Sequence, residues 1–300
     1  PIPAFLVMIF YVIMYALNMS TVPMLTMIAM NYINEGTYVN FGLARGIGSA
    51  SWATSALIFG QVVSFLGANI LSIAYCVFAL VTLFILYHLP ESKITKTKTE
   101  GVQEEGSVVT VIKKYKIFFF LLLGFCFMFS GATAIGTYLI NIVKSLGGNT
   151  SLYGVAMFAM AFSELPVMMT VPKLMKKFNS VTLILVASIF YICRNYTIGL
   201  APNLVVLIIG MMFQGLSYGL FTGVITYYVT YNLDTQDQMS GQTMIGIMTS
   251  GIGSTLGNVL GGILQDTIGL NALFTFVYLM TALGAVIIFI CKFVSVKVKK

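Results

Sequence analysis

Two charged side chains sit deep inside apolar stretches of this 300-residue chain: Glu164 in "AMAFSELPVMM" and Arg194 in "FYICRNYTIG". Glu164 precedes Lys173 by about 13 Å of helical rise, far from any polar flank. A charged group in hydrocarbon costs at least about 2.5 kcal/mol, so this carboxyl needs a partner or a proton. Arg194, on the next stretch, is the expected partner. A motion separating the two would change whether the carboxyl holds a proton. That is the chemistry of proton coupling; the alternative is a static ion pair that fixes helix packing.

A second constellation is "FGLARGIGSASW", residues 41–52. Seven helical residues turn through about 700°, some 20° short of two turns. Arg45, Ser49 and Trp52 therefore share one stripe. A flat indole facing a polar cavity can stack on a sugar ring, with an arginine below it to bond hydroxyls. The competing reading is a snorkelling arginine, an interfacial tryptophan and a small-residue packing face. Trp52 lies about 10 Å above Arg45 along the helix, which is deep for an interfacial ring. Gln214, in "GMMFQGLSYGLFTG", does not titrate but can bridge ligand hydroxyls as donor and acceptor. It could equally make an interhelical hydrogen bond. Asn141, Asn195 and Asn258 are further polar positions that could line a cavity.

The elements that must hold these groups are membrane helices. Apolar residues make up 58% of the chain, charged residues only 8%, and mean hydropathy is +0.95. Soluble domains carry about 25% charged residues, so this chain lacks the polar surface to meet water. Residues 46–87 and 117–143 hold no charge, 145–172 only Glu164, and 178–233 only Arg194. With about 20 apolar residues per span, nine spans follow, at roughly 4–31, 43–65, 68–88, 115–143, 152–172, 180–199, 204–230, 241–265 and 271–294. The net charge of +7 resides in short loops, the 89–114 stretch and the tail. It therefore implies topology and a bilayer, and no nucleic acid. The positive-inside rule puts the 89–114 linker, the 173–179 loop and the C-terminus in the cytoplasm. Cys76, Cys126, Cys193 and Cys291 lie singly in spans, without metal or disulfide spacing, and are expected to be small core residues. We expect no metal and no cofactor.

The polar stretch 89–114 divides three spans (1–88) from six (115–300). "FGQVVSFLGANI" (59–70) aligns with "GGILQDTIGLNA" (261–272), pairing Gly60 with Gly262, Gly67 with Gly269 and Asn69 with Asn271. The same offset matches the first three spans to the last three. The chain opens on Pro1, so we expect an all-α membrane protein with nine of twelve spans present, spans 4 to 12, in two parallel halves. This plan resembles the major facilitator superfamily. "FGLARGIGSASW" resembles the fifth-span motif of the lactose permease and oligosaccharide:proton symporter group. That resemblance implies sugar contacts at Arg45 and Trp52, a substrate-binding acid at Glu164 and a coupling arginine at Arg194. It departs at Leu43, where the group has a further arginine, and after Pro23, where it has a glutamate. It departs again at Gln214, where relatives carry histidine.

"GIGSTLGNVLGG" (251–262) has the GxGxxG spacing of a nucleotide loop but lies mid-span with no strand, so helix packing is expected. "VPKLMKKFNS" (171–180) resembles a degenerate basic loop of major facilitators. HExxH, a paired-aspartate motif and a nucleophile with a base are all missing, so no enzyme is expected. The reading is a monomeric secondary transporter of the cytoplasmic membrane that moves a sugar, oligosaccharide or nucleoside with protons. Binding is expected at Arg45, Ser49, Trp52, Glu164, Asn195 and Gln214, and coupling at Glu164 and Arg194. Drug or metabolite efflux, a scaffold and an intramembrane enzyme are the alternatives.

Overall fold

A computed structural model describes residues 4–67, 69–90 and 107–298, and every regular element among them is helical. The first part holds α1 (Ala4–Asn34), α2 (Phe41–Leu66) and α3 (Asn69–Tyr87). Then follow α4 (Val108–Lys114), α5 (Lys116–Ser145), α6 (Thr150–Lys177), α7 (Ser180–Gly199), α8 (Leu204–Met212) and α9 (Leu220–Asn232). The chain closes with α10 (Gln238–Gly246), α11 (Ser254–Thr267) and α12 (Leu270–Val298). Short π-helical turns at Gly215–Gly219 and Ile247–Gly253 join α8 to α9 and α10 to α11 into single long rods. Among the described residues, eight helical stretches are long and apolar enough to cross a membrane. α2, of 26 residues, is a ninth long helix, packed along α6. The protein is an integral, multi-pass membrane protein.

Local sequence explains where these helices begin and turn. Asn149, Asn179 and Asn203 each cap a helix, their side chains accepting from the backbone N–H of Leu152, Val181 and Val206. Gly67 and Gly269, matched by the internal repeat, both have positive φ, +78° and +106°, at the tight turns α2–α3 and α11–α12. A side chain at either φ would be strained, so the two repeats share a turn as well as a motif. The polar stretch 89–114 ends in structure: Ser107 caps α4, which packs against α10. The rest of that linker, 91–106, lies outside the described residues, as do most of its lysines.

The six-helix part carries most of the core. α5 packs along α11 and α12 and is buried over much of its length, with Phe118 and Phe125 stacked on Tyr228 and Phe221 of α9. Gly253, Gly257, Gly261 and Gly262 of "GIGSTLGNVLGG" lie against α5: a Cβ at Gly257 would stand 2.2 Å from the Ser130 carbonyl oxygen. The helix-packing expectation for that motif therefore holds. α1 buries only Met27 and Met30 among its described side chains, and α3 buries none. Cys126 and Cys291 are core residues, but Cys76 and Cys193 are exposed, which corrects the core expectation for those two. Each occupies an outward helix position, where a small apolar side chain needs no partner.

The two parts meet asymmetrically. Met30 and Phe41 join one buried cluster with Val171, Tyr227 and Leu233, on the side that carries α4 and the C-terminus. We call this the linker side. The other buried cluster is built wholly from residues beyond 133. Among the described residues, the buried hydrophobic contacts that join the two parts thus concentrate at the linker side, and we call the opposite side the open side.

Candidate functional site

The α2–α6 contact is what brings the predicted groups together. A Cβ at Gly42 would lie 1.9 Å from the Met168 carbonyl oxygen, and one at Gly46 would lie 3.0 Å from the Leu165 Cα. Only glycine lets the two backbones approach this closely, the small-residue seam common between membrane helices. Ala53, buried on the same face, continues it. Ser49 lies on this seam, and its hydroxyl donates to the carboxylate of Glu164. The contact joins the first three spans to the six that follow the linker.

Glu164 is 4% exposed and receives a second hydrogen bond, from Gln214 Nε2 at 3.2 Å. The π-turn after Gln214 makes this possible. It presses Gly215 onto α6, where its N–H donates to Ser163 Oγ at 3.0 Å. A π-turn at a ligand-facing position is a common functional device. Pro166, two residues beyond Glu164, lacks the N–H that would bond the Phe162 carbonyl, which weakens α6 next to the carboxyl. Ser49, Glu164 and Gln214 therefore form one hydrogen-bonded unit.

Arg194 departs from expectation. No ion pair joins it to Glu164 among the described residues; its Nη1 donates to Asn195 Oδ1 at 2.9 Å and its Nη2 approaches Met160 Sδ at 4.0 Å. The reason is spatial order. α6 and α7 are consecutive in sequence, but the α8–α9 rod packs on both and stands between them. Among the described residues, neither Arg194 nor Arg45 is hydrogen-bonded to Glu164. Asn195 is also displaced from its expected role. It is fully buried, and its amide donates to Thr281 Oγ1 at 2.7 Å on α12, so it orients Arg194 and does not face a ligand. Asn258 accepts from Thr137 at 2.6 Å, outside the cavity described next.

Beside this unit lies a cavity of about 570 Å³ between α1, α2, α9 and α10, within the size range of small-molecule sites. Arg45 lines it and is the one formally charged side chain on its wall. Arg45 Nη2 reaches the Tyr218 hydroxyl at 3.5 Å. Apolar residues such as Met19, Val22, Pro23 and Ile245 line much of the rest, and hydroxyls from both halves join them, among them Ser20, Thr26, Thr222, Thr226 and Thr249. Each donates its proton to a carbonyl of its own helix, over 2.7–2.9 Å. Toward the cavity these oxygens are therefore acceptors. Phe41 closes the linker-side end, packed edge-on against Tyr227 with ring centroids 6.0 Å apart.

Trp52 is not part of this wall. It stands on the Arg45 stripe but farther toward the open side, and it is 53% exposed. The aromatic that does meet Arg45 is Tyr218, stacked on Phe125 and Phe129. Sequence reasoning missed Tyr218, Thr222 and Thr226, although their i, i+4, i+8 spacing is a legible one-face signal.

A second polar cluster holds the linker side. Lys114, at the end of α4, donates to Asp234 at 2.5 Å and Asp237 at 2.7 Å, and the Tyr115 hydroxyl donates to Asp237 at 2.9 Å. These bonds hold Lys114 above the usual lysine range, and the Lys114 hydrogen bond holds Asp234 below the usual carboxylate range. Burial raises the Tyr115 phenol. The cluster ties α4 to the loop between α9 and α10.

Comparison with known proteins agrees with this architecture. The model of the MFS_1 like family matches residues 3–276. The maltose permease of Geobacillus stearothermophilus is 22% identical over 277 residues, which are 92% of this chain and 69% of that protein. A variant of the E. coli fucose:proton symporter FucP shares the fold at TM-score 0.57 and 16% identity, covering 83% of this chain and 68% of FucP. FucP in the outward conformation gives TM-score 0.56 and 15% identity, over 83% and 67%. With a family match over most of its length and the helical plan described above, the chain belongs to the MFS_1 like family of the major facilitator superfamily, and it is a transporter, not an enzyme.

Proposed function

We propose that this transporter moves a sugar-class solute (a sugar, oligosaccharide or nucleoside) across the cytoplasmic membrane by alternating access coupled to protons, as a monomer with its linker and C-terminus in the cytoplasm. The observation that carries the reading is the Glu164 carboxyl, which bonds Ser49 of one half and Gln214 of the other beside a hydroxyl-lined cavity. The names of the relatives, a maltose permease and a fucose:proton symporter, support the same class. Trp52, on the open side, is the ring an entering solute meets before Arg45.

The coupling follows from hydrogen-bond strength. Bonds to an ionised carboxylate are roughly twice as strong as neutral ones. Ionised Glu164 holds Ser49 firmly and clasps the halves. Once protonated, it holds Ser49 less tightly, and the seam is free to open. A nearby positive charge favours the ionised form of a carboxyl, so any motion that brings Arg45 or Arg194 closer to Glu164 or takes it farther away shifts the balance. Glu164→Gln keeps the shape and fixes the neutral state. In proteoliposomes it should abolish accumulation against a concentration gradient while retaining substrate exchange. Uphill accumulation by Glu164→Gln under a proton gradient would overturn the assignment.

A further inference from the structure

Away from the helix ends, the described spans hold three formal charges: Arg45, Glu164 and Arg194. Two are positive and one is negative. Neither arginine forms an ion pair among the described residues. Arg194 is 1% exposed, and its Nε has no hydrogen-bond partner. Glu164 is already engaged by Ser49 and Gln214. With Glu164 ionised, the state that clasps the halves, the site is left one positive charge in excess, and the group that shows it to the cavity is Arg45.

The cavity wall has a matching asymmetry of donors and acceptors. The Thr222, Thr226 and Thr249 hydroxyls on its wall have given their protons to backbone carbonyls, and Gln242 Nε2 donates to the Thr226 carbonyl at 3.2 Å. These three oxygens are left as acceptors, suited to ligand O–H donors. Arg45 is the one strong donor, and its guanidinium fork matches a carboxylate in two parallel bonds. A ligand that fits both features carries several hydroxyls and one carboxylate.

We propose, resting on the sugar-class reading above, that the solute is a monoanionic sugar acid, a uronate or aldonate, whose carboxylate docks on Arg45 while its hydroxyls donate to Thr222, Thr226 and Thr249. The charge count selects a monoanion. A neutral sugar leaves the excess positive charge uncompensated, and a phosphate ester carries roughly 1.5 to 2 negative charges and overshoots it.

Binding to the purified protein at pH 7.5 decides this, with D-glucuronate, D-gluconate, D-glucose, maltose and D-glucose 6-phosphate as probes in calorimetry. One charge-assisted contact predicts that glucuronate or gluconate binds roughly 10- to 100-fold more tightly than glucose. Arg45→Gln should bring that ratio to within about twofold, and Arg45→Lys, which keeps the charge without the fork, should leave an intermediate ratio. Should Arg45→Gln lower the unfolding midpoint, the Arg45→Lys ratio and the wild-type ranking decide instead. Glucose or maltose binding at least as tightly as both acids overturns the proposal and leaves the sugar-class reading intact. So does the phosphate ester binding most tightly, or an acid preference that survives Arg45→Gln. If none of the five binds, the sugar-acid proposal fails, and the broader reading rests on its own transport test.

Discussion

The α2–α6 seam supports a matched pair of substitutions on one helix. At Gly42 an added methyl would stand 1.9 Å from the Met168 carbonyl oxygen and 2.8 Å from its carbon. Backbone atoms cannot swing aside as a side chain can. Reaching ordinary contact at 3.4 Å requires the helices to separate there by about 1.5 Å. Ser49, two turns along the same helix, then loses its bond to Glu164. Overpacking of this kind costs about 1–3 kcal/mol, and a hydrogen bond to a charged group adds about 1.5–3. Against this, alanine in a helix gains about 1 kcal/mol over glycine. Gly42→Ala should therefore destabilise the protein by roughly 1.5–5 kcal/mol. At Gly48 a methyl meets nothing within 4 Å, so Gly48→Ala keeps only the helix gain. Cys126 and Cys291 are buried whereas Cys76 and Cys193 are exposed, so in a Cys76→Ser, Cys193→Ser background thiol-reactive dye fluorescence during heating reports unfolding directly. Gly42→Ala should lower the midpoint and slow uptake, while Gly48→Ala leaves uptake unchanged and holds or raises the midpoint. Equal midpoints for the two variants would refute the account of the seam.

Three further outcomes follow from contacts elsewhere. Thr222→Val keeps the shape but removes an acceptor from the cavity wall, so substrate affinity should fall by about 0.5–1.5 kcal/mol, roughly 2- to 12-fold, in equilibrium binding. Thr281→Val leaves the buried Asn195 amide without its acceptor and should cost about 1–3 kcal/mol of stability with substrate affinity unchanged, since neither residue lines the cavity. The Lys114 cluster predicts a pH profile. The depressed Asp234 contributes fully above the ordinary aspartate value near 3.9 and loses its contribution as pH falls below it, whereas the elevated Lys114 contributes below about 10.4 and loses it as pH rises further. The unfolding midpoint should then be flat from about pH 5 to 9 and fall at both ends, and Lys114→Met should lower the plateau and blunt both falls.

How much of this was legible in sequence depended on the range of the signal. The charge-free runs fixed the spans to within a few residues, because hydrocarbon tolerates no other composition over that length. The repeat was legible through Gly67 and Gly269, since a positive φ at a tight turn admits few other residues. The stripe Arg45–Ser49–Trp52 follows from helical geometry alone. What that stripe faces does not, and the structure divides it: Ser49 reaches α6, Arg45 reaches the cavity and Trp52 stands beyond it.

The largest departure, Arg194, has a topological cause. Consecutive antiparallel spans are natural neighbours when read along a chain, and pairing Glu164 with Arg194 assumed that neighbourhood. The wedge between them is the α8–α9 rod, whose approach to α6 depends on the π-turn at Gly215–Gly219. A Cβ at Gly215 would lie 2.1 Å from the Ser163 carbonyl oxygen, so that closeness rests on one missing methyl. A π-turn has no sequence period of its own, and nothing in "FQGLSYG" marks it apart from its glycines. That turn delivers Gln214 to Glu164 and Tyr218 to Arg45 at once. The carboxyl is thereby shared across the two halves, where hydrophobic periodicity would have confined it to one.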